Sequence, residues 1–111
     1  MIPIPLVHIG IGILLVLTSL PLALRWVPRN RAYGFRLRKS FVSDSNWYKI
    51  NQLGGALFTA FGGLLVLFGL ATWNSAPSPR SMWAPLFLAA PTLLLAPLLL
   101  IVKLVADHLP E

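Results

Sequence analysis

The sequence predicts an all-α membrane protein with three transmembrane helices. Three observations predict it: an apolar composition, three long uncharged stretches, and a basic loop between the first two. Of the 111 residues, 57% are hydrophobic and only 11% are charged. A soluble domain carries about 25% charged residues. A chain this short has a high surface-to-volume ratio and cannot hide so much apolar surface from water. The mean hydropathy of +0.77 therefore points to lipid as the second solvent. The length fits one membrane domain over residues 1–111.

The uncharged stretches run over 2–24, 53–73 and 82–102. A helix needs about 20 apolar residues to cross the ~30 Å hydrocarbon core, so each is long enough alone. In lipid a helix satisfies its own backbone hydrogen bonds. The first stretch has no basic lead-in and no small-residue cleavage site, so it reads as a retained span.

Orientation follows from Lys and Arg. The loop over 25–52 holds Arg25, Arg29, Arg31, Arg36, Arg38, Lys39 and Lys49, seven of the nine basic residues. The second connection holds only Arg80, and Lys103 falls at the C-terminal end. Basic loops stay inside, so the basic loop and the C-terminus are expected in the cytoplasm, with the N-terminus outside. Trp26, Trp47 and Tyr48 would then form an inner aromatic belt, and Trp73 and Trp83 an outer one.

Within the basic loop, Gly34 marks a tight turn, since glycine accepts φ > 0. Ser43 or Asp44 caps a helix that begins near Ser45 and runs through Trp47, Tyr48, Lys49, Asn51 and Gln52 into the second span. Asp44 is the single acid in the loop and has a second role open to it, pairing with Arg36 or Arg38.

Gly55, Gly62 and Gly69 recur every seven residues, with Thr59 on the same face. Small residues let helices approach closely in lipid. The stripe serves either packing inside the three-helix bundle or a homo-oligomer seam. The connection Asn74–Ser81 is rich in Pro and Ser and reads as a turn. Pro85 suits a helix start. Pro91 and Pro97 are expected to kink the third span.

Several function classes are disfavoured. There is no cysteine, hence no disulfide framework, thiolate site or Cys nucleophile. Asp44, Asp107 and Glu111 are the only acids, none lies within a span, and no catalytic or phosphate-loop motif occurs. The chain is not expected to be an enzyme, and no cofactor or metal is implied. His8 and His108 fall at opposite ends and read as interfacial. The spans carry no charged residues, which disfavours an ion pathway. The basic cluster of Arg25, Arg29, Arg31, Arg38, Lys39 and Lys49 suits anionic lipid headgroups, at about 1 kcal/mol each. An acidic protein surface is a second partner class. Direct nucleic-acid binding is not expected, because no nucleic-acid fold is recognisable.

One stretch is more specific. Asn30, Gly34-Phe35-Arg36, Ser40, Trp47, Asn51 and Gly54-Gly55, with Asp44 between them, resemble the signature of the SdpI family of small polytopic bacterial membrane proteins. Leu37 stands where that family often has Thr, and Arg38 and Lys39 add charge. The resemblance implies a multi-pass protein of the bacterial cytoplasmic membrane. It implies toxin immunity, signalling, or both, by binding a hydrophobic peptide and a cytoplasmic regulator. Asn30, Gly34, Arg36, Ser40, Asp44, Trp47 and Asn51 would organise the loop. The alternatives are an accessory subunit packed on a larger membrane complex through the glycine face, and a small oligomeric transporter.

Overall fold

The computed structural model describes residues 2–110. They form an elongated helical bundle of 50 × 23 × 21 Å. Helix α1 spans Ile4–Ala23, α2 spans Asp44–Ala71, α3 spans Ala84–Ala89 and α4 spans Leu95–Asp107. A 3-10 turn, Ala90–Leu94, joins α3 to α4 into one continuous third span of 24 residues. All three spans are long and apolar enough to cross a membrane.

Helix α2 is longer than the apolar stretch it contains. Ser43 is the N-cap, and its Oγ accepts from the Asn46 N–H at 3.0 Å. The side-chain cap is therefore Ser43. Asp44 is the first helical residue, where a carboxylate suits the helix dipole. Twenty-eight residues rise about 42 Å, more than the ~30 Å core, so the first turns of α2 stand in the loop region.

Helix α1 ends in a Schellman arrangement. The Trp26 N–H donates to Pro21 O at 3.0 Å and the Arg25 N–H to Leu22 O at 3.2 Å. That geometry demands a left-handed residue, usually Gly. Arg25 fills it with φ 62°. Its guanidinium lies over the Tyr48 ring, 5.2 Å from the centroid.

The glycine stripe faces α1. A Cβ on Gly55 would strike the backbone of Ser19, Leu22 and Ala23. One on Gly62 would come within 2.7 Å of Gly12 O, and one on Gly69 within 2.7 Å of Pro5 O. Gly12 is the reciprocal small residue, with Gly62 O at 2.5 Å from its own Cβ position. Helix α1 thus occupies this face inside the chain. The Thr59 hydroxyl is enclosed with no hydrogen-bond partner among the described residues.

The third span packs differently. A third of the most apolar stretch of α2 is buried, against 6% for the third span. Pro91 lies in the 3-10 turn, and Pro97 lies in the first turn of α4, where its missing N–H costs nothing. The expected pair of kinks is therefore one 3-10 break.

Candidate functional site

The residues of the Gly34–Asn51 motif converge on one clasp, where the loop folds back onto the first turns of α2. Gly34 turns the chain with φ 122°. A Cβ there would meet Asn51 Oδ1 at 2.6 Å and the Trp47 ring at 3.1 Å. Conformation and space both require glycine. Asn51 is buried and reads the loop backbone. Its Oδ1 accepts from the Phe35 N–H at 2.6 Å, and its Nδ2 donates to Trp47 O at 2.9 Å. Ser40 is fully buried and closes the other side. Its Oγ donates to Phe35 O at 2.7 Å and accepts from the Leu37 N–H at 3.2 Å.

Trp47 is 0% exposed, and its Nε1–H donates to Val27 O at 2.9 Å. It is the centre of the clasp and not part of an aromatic belt, because its ring packs under Phe41 at 5.8 Å. Trp26, Trp73 and Trp83 are the exposed tryptophans. Phe35 drops its ring onto Gly54 and meets Phe58 edge-on at 5.1 Å. Asn30 shapes the turn before it: its Oδ1 accepts from the Ala32 and Tyr33 N–H groups at 2.9 and 2.7 Å. Buried polar groups persist in native folds when their hydrogen bonds are met, and Asn51, Ser40 and Trp47 meet theirs on the loop and helix backbone.

The clasp also holds the end of the third span. Lys39 Nζ donates to Leu109 O at 2.6 Å, and buried Asn46 Nδ2 donates to Pro110 O at 2.7 Å. Ile50, Val102 and Ala106 form a buried apolar cluster at this end, flanked by Phe35, Leu37, Leu57 and Leu109.

Apart from buried Lys39, the charged residues of the loop lie outside. Asp44 Oδ1 pairs with Arg29 Nε at 3.2 Å, not with Arg36 or Arg38. Arg29 also donates to Phe41 O at 3.0 Å. Both partners are substantially exposed, so the ion pair stabilises by about 1 kcal/mol or less. Arg36 is exposed and donates to Arg31 O. Arg29, Asn30, Arg31, Arg36 and Phe41 line an open hollow of about 870 Å³. Lys49 is exposed on α2, and Arg38 is exposed in the 3-10 turn Arg38–Phe41.

A second, apolar hollow of about 480 Å³ lies beside the 3-10 break. Phe61, Leu64, Leu65 and Phe68 form one wall and Ala90, Pro91 and Leu94 the other. A neighbouring hollow of about 220 Å³ shares Phe61, Leu64 and Leu94 and reaches Leu98. Together they make a groove along α2, open at the side.

His8 pins the far end of the third span. Sequence places it at an interface, yet it is 1% exposed. Its Nε2 lies 3.1 Å from Leu88 O, and its ring packs against Phe68 at 5.2 Å and Phe87 at 5.7 Å. Leu88 lies in the last turn of α3, three residues before Pro91, which has no N–H to donate, and its carbonyl accepts from the imidazole. No local signal marks this role, because the pair is 80 residues apart in the chain.

Fold and site together define a multi-pass helical membrane protein whose basic loop is clasped onto its second and third spans. A family model for the SdpI/YfhL protein family matches residues 26–106, so the chain belongs to that family. The match begins just past α1 and takes in the whole clasp, α2 and nearly all of the third span. No curated protein and no solved structure matches the chain.

Proposed function

We propose that this protein works by binding, in toxin immunity, signalling, or both. A hydrophobic peptide lodges in the groove between α2 and the third span, and the basic loop is read by a cytoplasmic regulator. One observation carries this reading: the third span, which forms one wall of the groove, is tied at its end to the motif loop. Lys39 holds Leu109 O and Asn46 holds Pro110 O. A ligand that wedges Pro91 and Leu94 away from Phe61 and Leu64 pulls on those two contacts. It shifts the loop only by the difference in its affinity for the two arrangements. The positive-inside pattern supports a bacterial cytoplasmic membrane with the loop inside.

The accessory-subunit alternative needs a face other than the glycine stripe, because α1 covers that stripe. A transporter has little to work with in the spans, where polar groups are few.

The test uses the full chain in lipid nanodiscs and an apolar helical peptide carrying a photo-reactive leucine. The expected cross-links fall on Leu64, Leu65, Pro91 and Leu94, and peptide binding accelerates amide exchange over 30–43. Cross-links spread evenly over all lipid-facing leucines, with loop exchange unchanged, would sink the reading.

A further inference from the structure

We propose that the hollow bounded by Arg29, Asn30, Arg31, Arg36 and Phe41 binds the phosphate of an anionic phospholipid headgroup. The inference is independent of the groove reading above. It gathers Arg36 with two arginines into one site, rather than a uniformly basic surface.

Charge comes first. Of the two described acids near this end, Asp44 pairs with Arg29 at the edge of the hollow at 3.2 Å, and Asp107 pairs away from it with Lys103 at 3.0 Å. Neither forms an ion pair with Arg31 or Arg36. Both guanidiniums line the hollow and, among the described residues, form no ion pair.

Preorganisation comes second. Arg36 Nη1 is held by Arg31 O and Arg29 Nη1 by Phe41 O at 3.0 Å. The Asn30 side chain fixes the backbone at Ala32 and Tyr33, and its Nδ2 donates to Pro28 O at 2.8 Å. A guanidinium has five N–H donors, so one carbonyl contact leaves a fork for phosphate oxygens.

Depth comes third and selects lipid over a soluble phosphate. The hollow lies between the end of α1 at Ala23 and the start of α2 at Asp44. Trp26, 70% exposed, flanks it in the chain, as an aromatic ring does at headgroup level. Phe41 gives the hollow an apolar wall for the glycerol end.

Diffuse attraction treats every base alike and is indifferent to Arg or Lys. A built site is not, because Lys is a point charge without the planar fork.

The experiment is native mass spectrometry of the purified full chain in micelles, titrated with phosphatidylglycerol or phosphatidylcholine. Circular dichroism confirms helix content for each variant. Phosphatidylglycerol should be retained over phosphatidylcholine, and the pair Arg31→Gln/Arg36→Gln should weaken it about tenfold or more, the loss of a charged hydrogen-bonded contact. Arg31→Lys/Arg36→Lys should lose most of the same affinity. Arg80→Gln/Lys103→Gln, which removes equal charge elsewhere, should stay within about twofold. Equal losses in that control, full binding by the Lys pair, or no preference for phosphatidylglycerol would overturn the site. Binding of inorganic phosphate alone as tight as that of the lipid would overturn the lipid assignment.

Discussion

The α1–α2 pair and the third span are built on opposite plans. Helices α1 and α2 meet backbone to backbone, with Gly12 against Gly62 and Gly69 against Pro5. The third span turns large leucines outward, Leu86, Leu93, Leu99 and Leu100 among them, and touches the pair chiefly at its two ends. In lipid, leucine against leucine gains little over leucine against acyl chain, so close approach and hydrogen bonds hold helices together. The first pair uses close approach. The third span uses hydrogen bonds, His8 to Leu88 at one end and Lys39 and Asn46 to Leu109 and Pro110 at the other. The groove lies on the stretch between those fastenings.

This contrast can be broken at its densest point. Trp47→Ala empties the centre of the clasp and removes the bond to Val27 O. A loss of about 3–5 kcal/mol is expected for deleting a fully buried Trp. Denaturant unfolding in mixed micelles would measure it. A loss below about 1 kcal/mol would show that the loop does not fold as one unit with α2.

His8→Leu probes the other fastening. It leaves Leu88 O without its donor, at about 1–3 kcal/mol. Amide exchange should accelerate over 84–94 and stay unchanged in α2. Equal acceleration in both would mean that the third span is no separate element.

The smallest effect sharpens the boundary between them. Arg25→Gly relieves a left-handed Arg, a gain of about 1–2 kcal/mol, and forfeits a stack on Tyr48 of about 0.5–1 kcal/mol. A net stabilisation of about 0.5–1 kcal/mol is expected from the same unfolding measurement. Net destabilisation would show that the Tyr48 contact outweighs the strain.

Much of the motif is legible in the sequence, because its signals are local. Gly34 marks its own turn, and the local pattern narrows the cap to Ser43 or Asp44, of which Ser43 accepts from the N–H three residues on. The roles of Trp47 and His8 were not legible. An aromatic near a span end suits a lipid belt or a buried centre equally well, and only the returning loop, with Val27 O 20 residues away, decides between them. Asp44 had several arginines in reach, and chain spacing does not rank them. Arg29 takes it because the folded loop brings Asp44 to its Nε at 3.2 Å and Phe41 O to its Nη1 at 3.0 Å.

By itself the sequence determined three spans, a basic loop between the first two, and the membrane class of the protein. Hydropathy, charge and capping act within one helix length, so they survive without a partner. The tertiary structure alone decided that α1 fills the glycine stripe, that the motif closes over Trp47, and that the third span is held at its ends over an open groove. Those choices rest on contacts between residues up to 80 positions apart, which form only when the helices pack.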